Sequence, residues 1–440
     1  MKLQLRLALA LSVCVFLASS AFAQSFYWNT ASARSQALGG IYVTSSDNAV
    51  DALAANPAGL TSLSGSTLDI SVSLMLPRGS FSNSVNNSAQ LSQTPGALPY
   101  GAFGMPIRHS RFSWGVGFVP DLMSVANWRY VDAPGVAGAT YGMQQQKSAI
   151  LAGRAMAGLG VVLNPKISIG VSLGADYNSN TLEAPYIFQQ QPVLKGLKTL
   201  LDLHTTGYGW NGSVGALIRP TRSVEVGLAW KSSTTIISNG AASGDVYAQF
   251  AALGLAGVPS TFNYSAQVRN VLPQSVLANV AWRVNQRWLL AFQTDWVNWH
   301  SAFVTLPVTL TNGTNAAING LLNSTTLQDG VPLDWKDQYS FHVGAERLLT
   351  ERTSLRFGYA HANNPVPSST LTPLTAAIMS NQISTGLVYH PGRSSLEFAY
   401  SYDPTAQAQV QQSALLSGEY NNSTVRVGTQ AITMNYSFRF

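Results

Sequence analysis

Two short strings in the chain match sequence patterns of known enzyme chemistry. Gly170-Val171-Ser172-Leu173-Gly174 matches a nucleophile elbow, in which a serine stands at a sharp turn between a strand and a helix. Residues 207–212 match the glycine pattern of a dinucleotide-binding loop, which must open a helix in a βαβ unit. The serine string instead lies within a run of alternating apolar residues, and no helical pattern follows the glycine string. We therefore interpret both strings as strand segments and predict that the chain has no catalytic residue.

The residues that usually bind metals are scattered. The six histidines show neither an HExxH pattern nor paired-ligand spacing, and the only cysteine is Cys14. A lone cysteine excludes disulfides within the chain and cysteine-rich metal sites. We predict that the protein has no metal site and no cofactor.

The N-terminus carries the pattern of a secretory signal peptide. Lys2 and Arg6 precede an apolar run that ends near Leu17, and Ala21-Phe22-Ala23 supplies the small residues of a cleavage site. The run is too short to serve as a transmembrane helix. We predict that residues 1–23, with Cys14 among them, are removed during export.

The last residues of the chain alternate between two kinds of side chain. Ile432, Met434, Tyr436, Phe438 and Phe440 share one side of an extended strand, and polar residues occupy the other side. A strand with one face for lipid and one for water is typical of a membrane β-barrel. We predict that Tyr436, Phe438 and Phe440 form the signal that the barrel-assembly machinery recognises.

The same period of two recurs along the chain, most clearly in residues 112–118, 167–177, 224–230 and 396–402. Only 10% of the residues are charged, yet beyond the N-terminus no apolar run reaches the length of about 18 residues that a helical span needs. Alternating strands of roughly 10 residues fit this composition. The net charge of +6 is spread along the chain, which excludes a nucleic-acid-binding surface.

Turn signals divide the chain into regular segments. Six short connections carry turn residues, at 108–110, 164–165, 220–222, 285–287, 350–352 and 391–392. Seven long connections alternate with them, at about 78–96, 121–147, 178–205, 235–266, 299–337, 363–381 and 403–424. We therefore predict an all-β membrane protein, in which residues 67–440 form a fourteen-stranded antiparallel transmembrane β-barrel.

Residues 24–66 precede the first predicted strand and lack the alternation of the predicted strands. The segment is too apolar for a disordered tail, and glycine and serine crowd the inward faces of the predicted strands. A barrel of fourteen strands has a wide interior that must be filled or become a water channel. We predict that residues 24–66 fold into the lumen as a hatch. Inward charges such as Glu346 and Arg356 would then tie hatch to wall or, alternatively, bind an anionic headgroup.

Several motifs follow one another in a specific order. They are Ser-Ala-Arg at 32–34, Gly-Gly at 39–40, Asn-Pro-Ala within 51–60, Gly-Trp-Asn-Gly at 209–212, Leu-Pro-Gln-Ser-Val at 272–276, Asp-Trp-Val-Asn-Trp at 295–299 and Ser-Leu-Arg-Phe-Gly-Tyr-Ala at 354–360. With these motifs and its aromatic terminus, the chain resembles the FadL/TodX-type outer-membrane transporters of long-chain fatty acids and aromatic hydrocarbons. The resemblance covers nearly the whole chain after the signal peptide.

The resemblance implies a hatch that carries Asn-Pro-Ala and a lateral gap beside a distorted third strand, through which substrates pass towards the membrane. The implied hatch residues are Asn56, Pro57, Ala58 and Gly59. Residues 112–120 match the third strand, and Gly115 and Gly117 are the positions available for its distortion. In one departure from the family pattern, Ala54-Ala55 replaces the usual aromatic residue before Asn-Pro-Ala, which alters local packing of the hatch.

Two of the long loops are rich in apolar residues. In residues 185–203 and 245–258 the apolar spacing is nearer to helical than to alternating. Exposed apolar helices are unfavourable unless they pack together or bind an apolar ligand. We predict that they form a capture surface; the alternative is that they only cap the barrel. The predicted capture residues are Leu194, Leu197, Leu200, Leu201, Phe250, Leu253 and Leu255, with Lys195, Lys198 and Arg154 as candidates to meet a carboxylate.

These features predict passive uptake of hydrophobic small molecules, such as long-chain fatty acids or aromatic hydrocarbons, across the outer membrane of a Gram-negative bacterium. Apolar outer loops would capture the ligand, which would leave laterally into the membrane. A water-filled porin for polar solutes and a surface receptor or adhesin are the alternatives. The expected partners are the ligand, outer-membrane lipid and lipopolysaccharide, and the barrel-assembly machinery. We expect a monomer without a nucleic-acid partner.

Overall fold

A computed structural model describes residues 31–92, 96–418 and 420–440, in which fourteen strands hydrogen-bond in a closed antiparallel ring. The ring closes where its first strand pairs with its last, from Thr67 opposite Arg439 to Ser82 opposite Thr424. The predicted fourteen-stranded barrel is confirmed. The predicted signal peptide, Cys14 and the first residues of the predicted hatch lie outside the described residues.

The ring strands, in order, are β1 (Thr67–Ser82), β3 (Gly96–Pro106), β4 (Phe112–Val131), β5 (Met143–Asn164), β6 (Ile167–Ile187), β7 (Lys198–Ile218), β8 (Val224–Lys231), β11 (Ser275–Arg283), β12 (Trp288–Val297), β15 (Gln338–Thr350), β16 (Thr353–Ala362), β17 (Asn381–Tyr389), β18 (Ser394–Val410) and β19 (Ser423–Arg439). Five further strands of the described residues lie within the connections between ring strands: β2 (Ala89–Gln90), β9 (Thr234–Asp245), β10 (Thr261–Leu272), β13 (Thr305–Thr311) and β14 (Leu327–Pro332).

The described residues also form short helices. The α-helices are α1 (Ala33–Ala37), α2 (Ala49–Ala54), α3 (Tyr247–Ala252), α4 (Trp299–Ala302) and α5 (Ala316–Leu322). The 3-10 helices are Pro57–Ser62, Val136–Gly138, Pro373–Thr375 and Leu416–Gly418.

Each ring strand presents one apolar and one small or polar face. In β6, Ile169, Val171 and Leu173 are exposed on the outer side, whereas Ser168 and Ser172 between them are buried on the inner side. This is the alternation that a barrel in lipid requires, because the outer face has no water to bind polar groups. No helix in the described part of the chain is long and apolar enough to cross a membrane.

The outer connections are more structured than their sequences indicate. β9 and β10 occupy most of the predicted loop 235–266, and β13 and β14 lie within the predicted loop 299–337. β9 pairs with residues 200–206 of β7, near the end of β7 that the outer loop precedes. β10 pairs with β9 and β13, and β13 pairs with β14. These four strands extend the wall beyond the ring on one side.

The helical prediction for residues 185–203 is wrong. β6 and β7 continue into this segment as a paired hairpin, with Pro185 opposite Leu200 and Ile187 opposite Lys198. Neighbouring loops bury residues on both faces of this hairpin, so apolar residues occupy both faces and do not alternate with polar ones. The spacing of apolar residues therefore does not indicate a strand here. In the second loop a single short helix, α3, is present.

Residues 31–66, here called the inner segment, lie against the inner face of the ring. α1 packs on β16 to β19, whereas α2 and the 3-10 helix Pro57–Ser62 pack on β3 to β7. Glycines of the wall make this approach possible. A Cβ atom on Gly170 would lie 2.3 Å from the carbonyl carbon of Pro57, and one on Gly358 would lie 2.1 Å from that of Leu38. The glycines that crowd the inward faces therefore leave space for backbone.

Deletion of residues 436–440 should prevent folding of the barrel. It removes the β1–β19 pairs from Ile70 opposite Tyr436 to Thr67 opposite Arg439, and so leaves the edge of β1 without a partner in lipid. Heat-modifiable migration on a gel reports the folded barrel. Phe440→Tyr, which keeps an aromatic side chain, should migrate as the unmodified protein does. Normal migration of the truncated chain would contradict the requirement for the terminal pairs.

Candidate functional site

Asn56 fixes the inner segment to the wall through both atoms of its side-chain amide. Its Oδ1 accepts a hydrogen bond from Ala58 N and caps the following 3-10 helix. Its Nδ2 donates to the carbonyls of Ala216 on β7 and Leu228 on β8, each at 3.1 Å. The side chain thereby holds the turn that Pro57 begins against two strands of the wall.

Charged groups make further contacts between the inner segment and the wall. Arg34 lies 3.1 Å from Glu346, which also pairs with Arg356, and Asp47 lies 3.0 Å from Arg439. Glu346 and Arg439 thus form the predicted salt bridges between this segment and the wall, whereas Arg356 pairs with Glu346 and Glu397 within the wall.

Asp51 is buried within the inner segment. Ser32 donates a hydrogen bond to its carboxylate at 2.9 Å, while burial raises the pKa of Asp51 to about 6.

An inner cavity with an empty volume of about 1260 Å³, partly open to solvent, lies beside the inner segment. Ala54 and Ala55 line it, at the position where the family pattern has an aromatic residue. The rest of its lining mixes apolar and polar residues, and four of its charged or titratable groups form two pairs. Lys231 Nζ lies 2.5 Å from Asp121 and His342 Nε2 lies 2.9 Å from Asp295.

Beside this cavity the ladder between β3 and the third ring strand, β4, ends before β4 does. β3 and β4 pair from Pro106 opposite Ser113 to Gly101 opposite Phe118. Among the described residues, β4 has no strand partner on this side from Val119 until Leu91 pairs with Trp128. Pro120 has no N–H to donate, and a bulge follows it in the β4–β5 ladder.

Gly115 and Gly117, the predicted positions of distortion, lie in the paired part of β4 just before this break. Their missing side chains make room for the inner segment instead. A Cβ on Gly115 would lie 3.0 Å from Leu60, and one on Gly117 would lie 3.2 Å from Leu53. The irregularity of the strand itself is centred on residues 120–122.

Side chains rather than backbone hydrogen bonds occupy the space between β3 and β4. Met75, Met123 and Val125 form a buried apolar cluster, and Leu98 of β3 and Leu151 of β5 pack against it. Methionine is flexible and adapts to irregular space. Among the described residues, this part of the wall is therefore held by side-chain packing and not by a ladder between β3 and β4.

A second cavity, here called the outer cavity, lies under the outer loops and has an empty volume of about 1560 Å³, partly open to solvent. β6, β7, β10, β13, β14 and the connection 363–380 all contribute to it. Its apolar lining includes Phe188, Leu194, Leu201, Leu203, Phe262, Leu306, Val308, Leu310, Ile318, Leu327 and Val331. Among the described residues that line it, the only charged one is Asp329. This lining suits an uncharged apolar molecule.

The carboxylate of Asp329 is saturated by the loop above it. Its Oδ1 accepts hydrogen bonds from the backbone N–H groups of Gln190 and Gln191, and its Oδ2 accepts from Gln189 N and Tyr186 Oη. Asp329 thus fixes the turn after β6 over the cavity. The sequence gives no signal for this role, because Asp329 and its partners are 138 or more residues apart.

The predicted capture residues divide into two groups. Leu194 and Leu201 line the outer cavity, and Leu197 and Phe250 belong to the same apolar cluster. Leu200 is half-buried, in the paired hairpin of β6 and β7. Leu253 and Leu255 lie outside the cavity and are 46% and 45% exposed.

The three cations predicted to bind a carboxylate do not lie together at the outer cavity. Lys198 is fully buried, and its ammonium group lies 2.7 Å from Asp132, so it anchors a loop. Arg154 lies in the inner cavity, where it donates to the carbonyl of Ala54 at 3.0 Å. Lys195 is exposed and outside the lining of the outer cavity.

An apolar layer separates the two cavities. Its buried members come from β4, α4, the segment before β15 and the connection 363–380, and include Trp128, Trp299, Phe303, Trp335, Leu371 and Ile378. The rings of Trp299, Phe303 and Trp335 meet at about 5 Å. Thr370 and Thr372 line the outer cavity and Met379 lines the inner one, so the connection 363–380 forms part of the partition.

The strings that resemble enzyme motifs lie within strands. Ser172 is buried on β6 and shares a hydrogen bond of 2.6 Å with Ser213, and residues 207–212 are part of β7. On the outward surface, Glu183, Asp202 and His204 bring possible metal-ligating atoms within 4.8 Å of one another. Lys147 lies 2.8 Å from Glu183 and already balances part of this charge.

Comparisons with known proteins agree with this architecture. A family described as outer membrane protein transport protein (OMPP1/FadL/TodX) matches residues 14–440. No curated protein sequence matches the chain.

Similar solved structures include a Pseudomonas aeruginosa FadL homologue, with a TM-score of 0.74 and 16% identity over 94% of this chain and 100% of that one. The Pseudomonas putida toluene transporter TodX has a TM-score of 0.73 and 18% identity over 95% of this chain and 100% of that one. The Ralstonia pickettii toluene transporter TbuX has a TM-score of 0.70 and 16% identity over 93% and 98%. At these identities the likeness establishes the fold.

Gly358→Ala should displace the inner segment. The new methyl group would overlap the backbone of Leu38 and Gly39, and overpacking of this kind costs typically about 1–3 kcal/mol. We expect a lower unfolding temperature, and a larger conductance to small ions in planar bilayers. Gly320→Ala is the matched control, because nothing lies within 4 Å of the added atom. Equal conductance of both variants would contradict the tight approach of segment and wall.

Asp329→Ala should release the turn at residues 189–191. The substitution removes the acceptor of three backbone N–H groups, of which that of Gln191 is buried, and a buried N–H without an acceptor costs about 1–3 kcal/mol, so the turn should open to water. Limited proteolysis of the folded barrel should then cut within residues 188–197. Asp202→Ala, which removes an exposed carboxylate outside the cavity, should leave this segment resistant. Resistance of the Asp329→Ala variant would show that the turn is held by other contacts.

Proposed function

The chain belongs to the outer membrane protein transport family OMPP1/FadL/TodX, and we propose that it takes up uncharged hydrophobic small molecules across the outer membrane. The ligand is captured in the outer cavity, passes the apolar layer and leaves sideways between β3 and β4. The movement is passive, down a concentration gradient. The protein has no catalytic role and uses no cofactor.

The chemistry of the outer cavity carries this proposal. A long-chain fatty acid would bring a carboxylate into a lining without Lys or Arg among its described residues, where the one charged group is the acidic Asp329. An unpaired charge in an apolar site is strongly unfavourable. An aromatic hydrocarbon needs no such partner. TodX and TbuX, whose structures this chain resembles, are toluene transporters, which agrees with an uncharged ligand.

The route inward depends on the connection 363–380. It stands between the outer and inner cavities and packs against β4 just after the unpaired part, where Trp128 Nε1 donates to the carbonyl of Pro373 at 3.0 Å. Movement of this connection would join the outer cavity to the space beside β4. The cluster of Met75, Met123 and Leu98 then forms the lateral exit, with Gly115 and Gly117 at its lower edge.

Residues 24–66 act as the hatch that closes the lumen to polar solutes, with Asn56, Pro57, Ala58 and Gly59 as its fixed turn. The hydrogen bonds of Asn56 and the salt bridges of Arg34 and Asp47 support this role. A water-filled porin would need an open axis, which these contacts obstruct. Residues 1–23 act as the export signal.

The protein works as a monomer whose partners are the ligand and the lipids around it. Its outer strands face lipopolysaccharide, and Tyr436, Phe438 and Phe440 of β19 direct its insertion by the barrel-assembly machinery. Closure of the ring within one chain supports a monomeric unit.

Uptake by vesicles tests the proposed ligand class. Vesicles that contain the protein should take up toluene, supplied from water at limiting concentration, faster than protein-free vesicles. The protein should not accelerate uptake of benzoate, which has the same ring with a carboxylate. Acceleration of benzoate to the same extent would contradict an uncharged ligand.

The capture residues are tested by two leucines of the predicted set. Leu201→Asp should slow uptake at limiting toluene, because loss of about 60 Å² of apolar contact costs about 1.5 kcal/mol, roughly a tenfold loss of affinity. Leu253→Asp is the matched control, since Leu253 is exposed outside the cavity. If both variants take up toluene as the unmodified protein does, the outer cavity is not the capture site.

The hatch is tested by deletion of residues 25–60. The barrel should still migrate as a folded, heat-modifiable species, but its conductance to small ions should rise because the lumen has lost its filling. Stability should also fall, since each buried polar group left without a partner costs roughly 1–3 kcal/mol. Unchanged conductance would mean that the segment does not block the lumen.

A further inference from the structure

A second interruption of the wall lies between β10 and β13. These strands pair only from Ser265 opposite Thr311 to Val268 opposite Val308. β10 continues to Leu272 and β13 begins at Thr305, but in the described part of the chain no ladder joins these remaining parts. Pro307 stands on the β13 side and has no N–H with which to continue the pairing.

A cavity that is partly open to solvent, here called the opening, lies at this interruption. Its empty volume is about 700 Å³, and it lies between residues 269–271 of β10 and residues 301–307. Arg269 and Asn270 are neighbours that face opposite sides. Arg269 is exposed outside, whereas Asn270 is buried and donates to Asn178 Oδ1 at 2.9 Å.

The opening adjoins the outer cavity. Phe303, Leu306 and Leu333 line both spaces. Ala302, Val304 and Pro307 extend the apolar lining to the outer surface, and Val304 is 45% exposed. A molecule at the outer surface would therefore meet an apolar path into the cavity.

The position of the opening relative to the membrane follows from the outward residues. On β11, just below, Val276, Val280 and Trp282 are exposed and apolar. On β10, above, the outward positions are Thr261, Asn263, Ser265, Gln267 and Arg269. The opening thus lies at the upper edge of the apolar belt, where acyl chains meet polar headgroups.

We propose that the opening between β10 and β13 is a side entrance, through which uncharged hydrophobic molecules already dissolved in the outer leaflet reach the outer cavity. The proposal rests on the proposed function of that cavity. Hydrophobic molecules concentrate in the acyl region of a membrane because their apolar surface leaves water there. A ligand that enters from this region crosses into an apolar cavity without returning to water. The guanidinium group of Arg269 lies beside the opening, where it can hold an anionic headgroup away from the path.

A thiol label on Val304 tests the side entrance. Val304→Cys places a thiol on the exposed rim, and a bulky maleimide attached to it should obstruct the opening. Asn263→Cys is the matched control, since Asn263 faces outward on β10 but does not line the opening. The only natural cysteine, Cys14, lies within the predicted signal peptide and does not compete for label if that segment is removed.

The probe is an uncharged fluorescent hydrocarbon whose emission rises in an apolar site. It is supplied in two ways, dissolved in the outer leaflet of vesicles or added from water. Labelling of Val304→Cys should cause a several-fold loss in the rate at which leaflet-dissolved probe reaches the cavity, with a smaller loss for probe from water. Labelled Asn263→Cys should bind at the unlabelled rate in both cases.

Equal rates for labelled and unlabelled Val304→Cys with leaflet-dissolved probe would overturn the side entrance. An equal loss for both sources would also overturn it, because the label would then act on the cavity itself. If even the unlabelled, folded protein fails to bind the probe from either source, the proposed function of the outer cavity fails instead. Heat-modifiable migration of each variant confirms that the barrel is folded.

Discussion

A ring of fourteen strands encloses more space than the side chains of its wall can fill, and the rest of the structure depends on how this space is occupied. The inner segment occupies part of it, with backbone as well as side chains. This is possible only because wall positions such as Gly170 and Gly358 lack a Cβ atom. Close approach then lets polar groups of the wall bind backbone of the segment directly, as Gln293 does with Tyr42 N and the carbonyl of Gly40. Packing and hydrogen bonding thus fix the same arrangement.

In the proposed function the inner segment closes the lumen, so that a small molecule must leave by the side of the barrel. In lipid, backbone N–H and C=O groups need partners, so a wall cannot simply open. β4 leaves the ladder with β3 after Phe118, and residues 119–126 are buried on both faces, away from lipid. Met123 and Val125 of this stretch pack against Met75 of β1 and Leu98 of β3, where the ladder between β3 and β4 has ended. The part of the wall that is proposed to open is therefore a part held by side chains.

The sequence predicts the barrel well because its signals are local. Alternation, short turns and an aromatic last strand are each visible in residues that are adjacent in the sequence. The glycines of the inner face indicate that backbone packs closely against the wall. The outer region is different. The helical reading of residues 185–203 failed because their partners, such as Asp329 and Phe262, lie far along the chain and bury both faces of the hairpin. For the same reason Lys198 looked free in sequence and is in fact paired with Asp132.

Photolabelling with an uncharged, diazirine-bearing hydrocarbon tests most directly whether the path leaves the barrel sideways. The account predicts adducts on outer-cavity residues such as Phe262 and Leu310, and on Met123 and Leu98 beside the interruption of β4, all suppressed by excess toluene. Adducts on the periplasmic turns, such as His109 and Asn285, together with an unlabelled β3–β4 region, would show an axial path and contradict it.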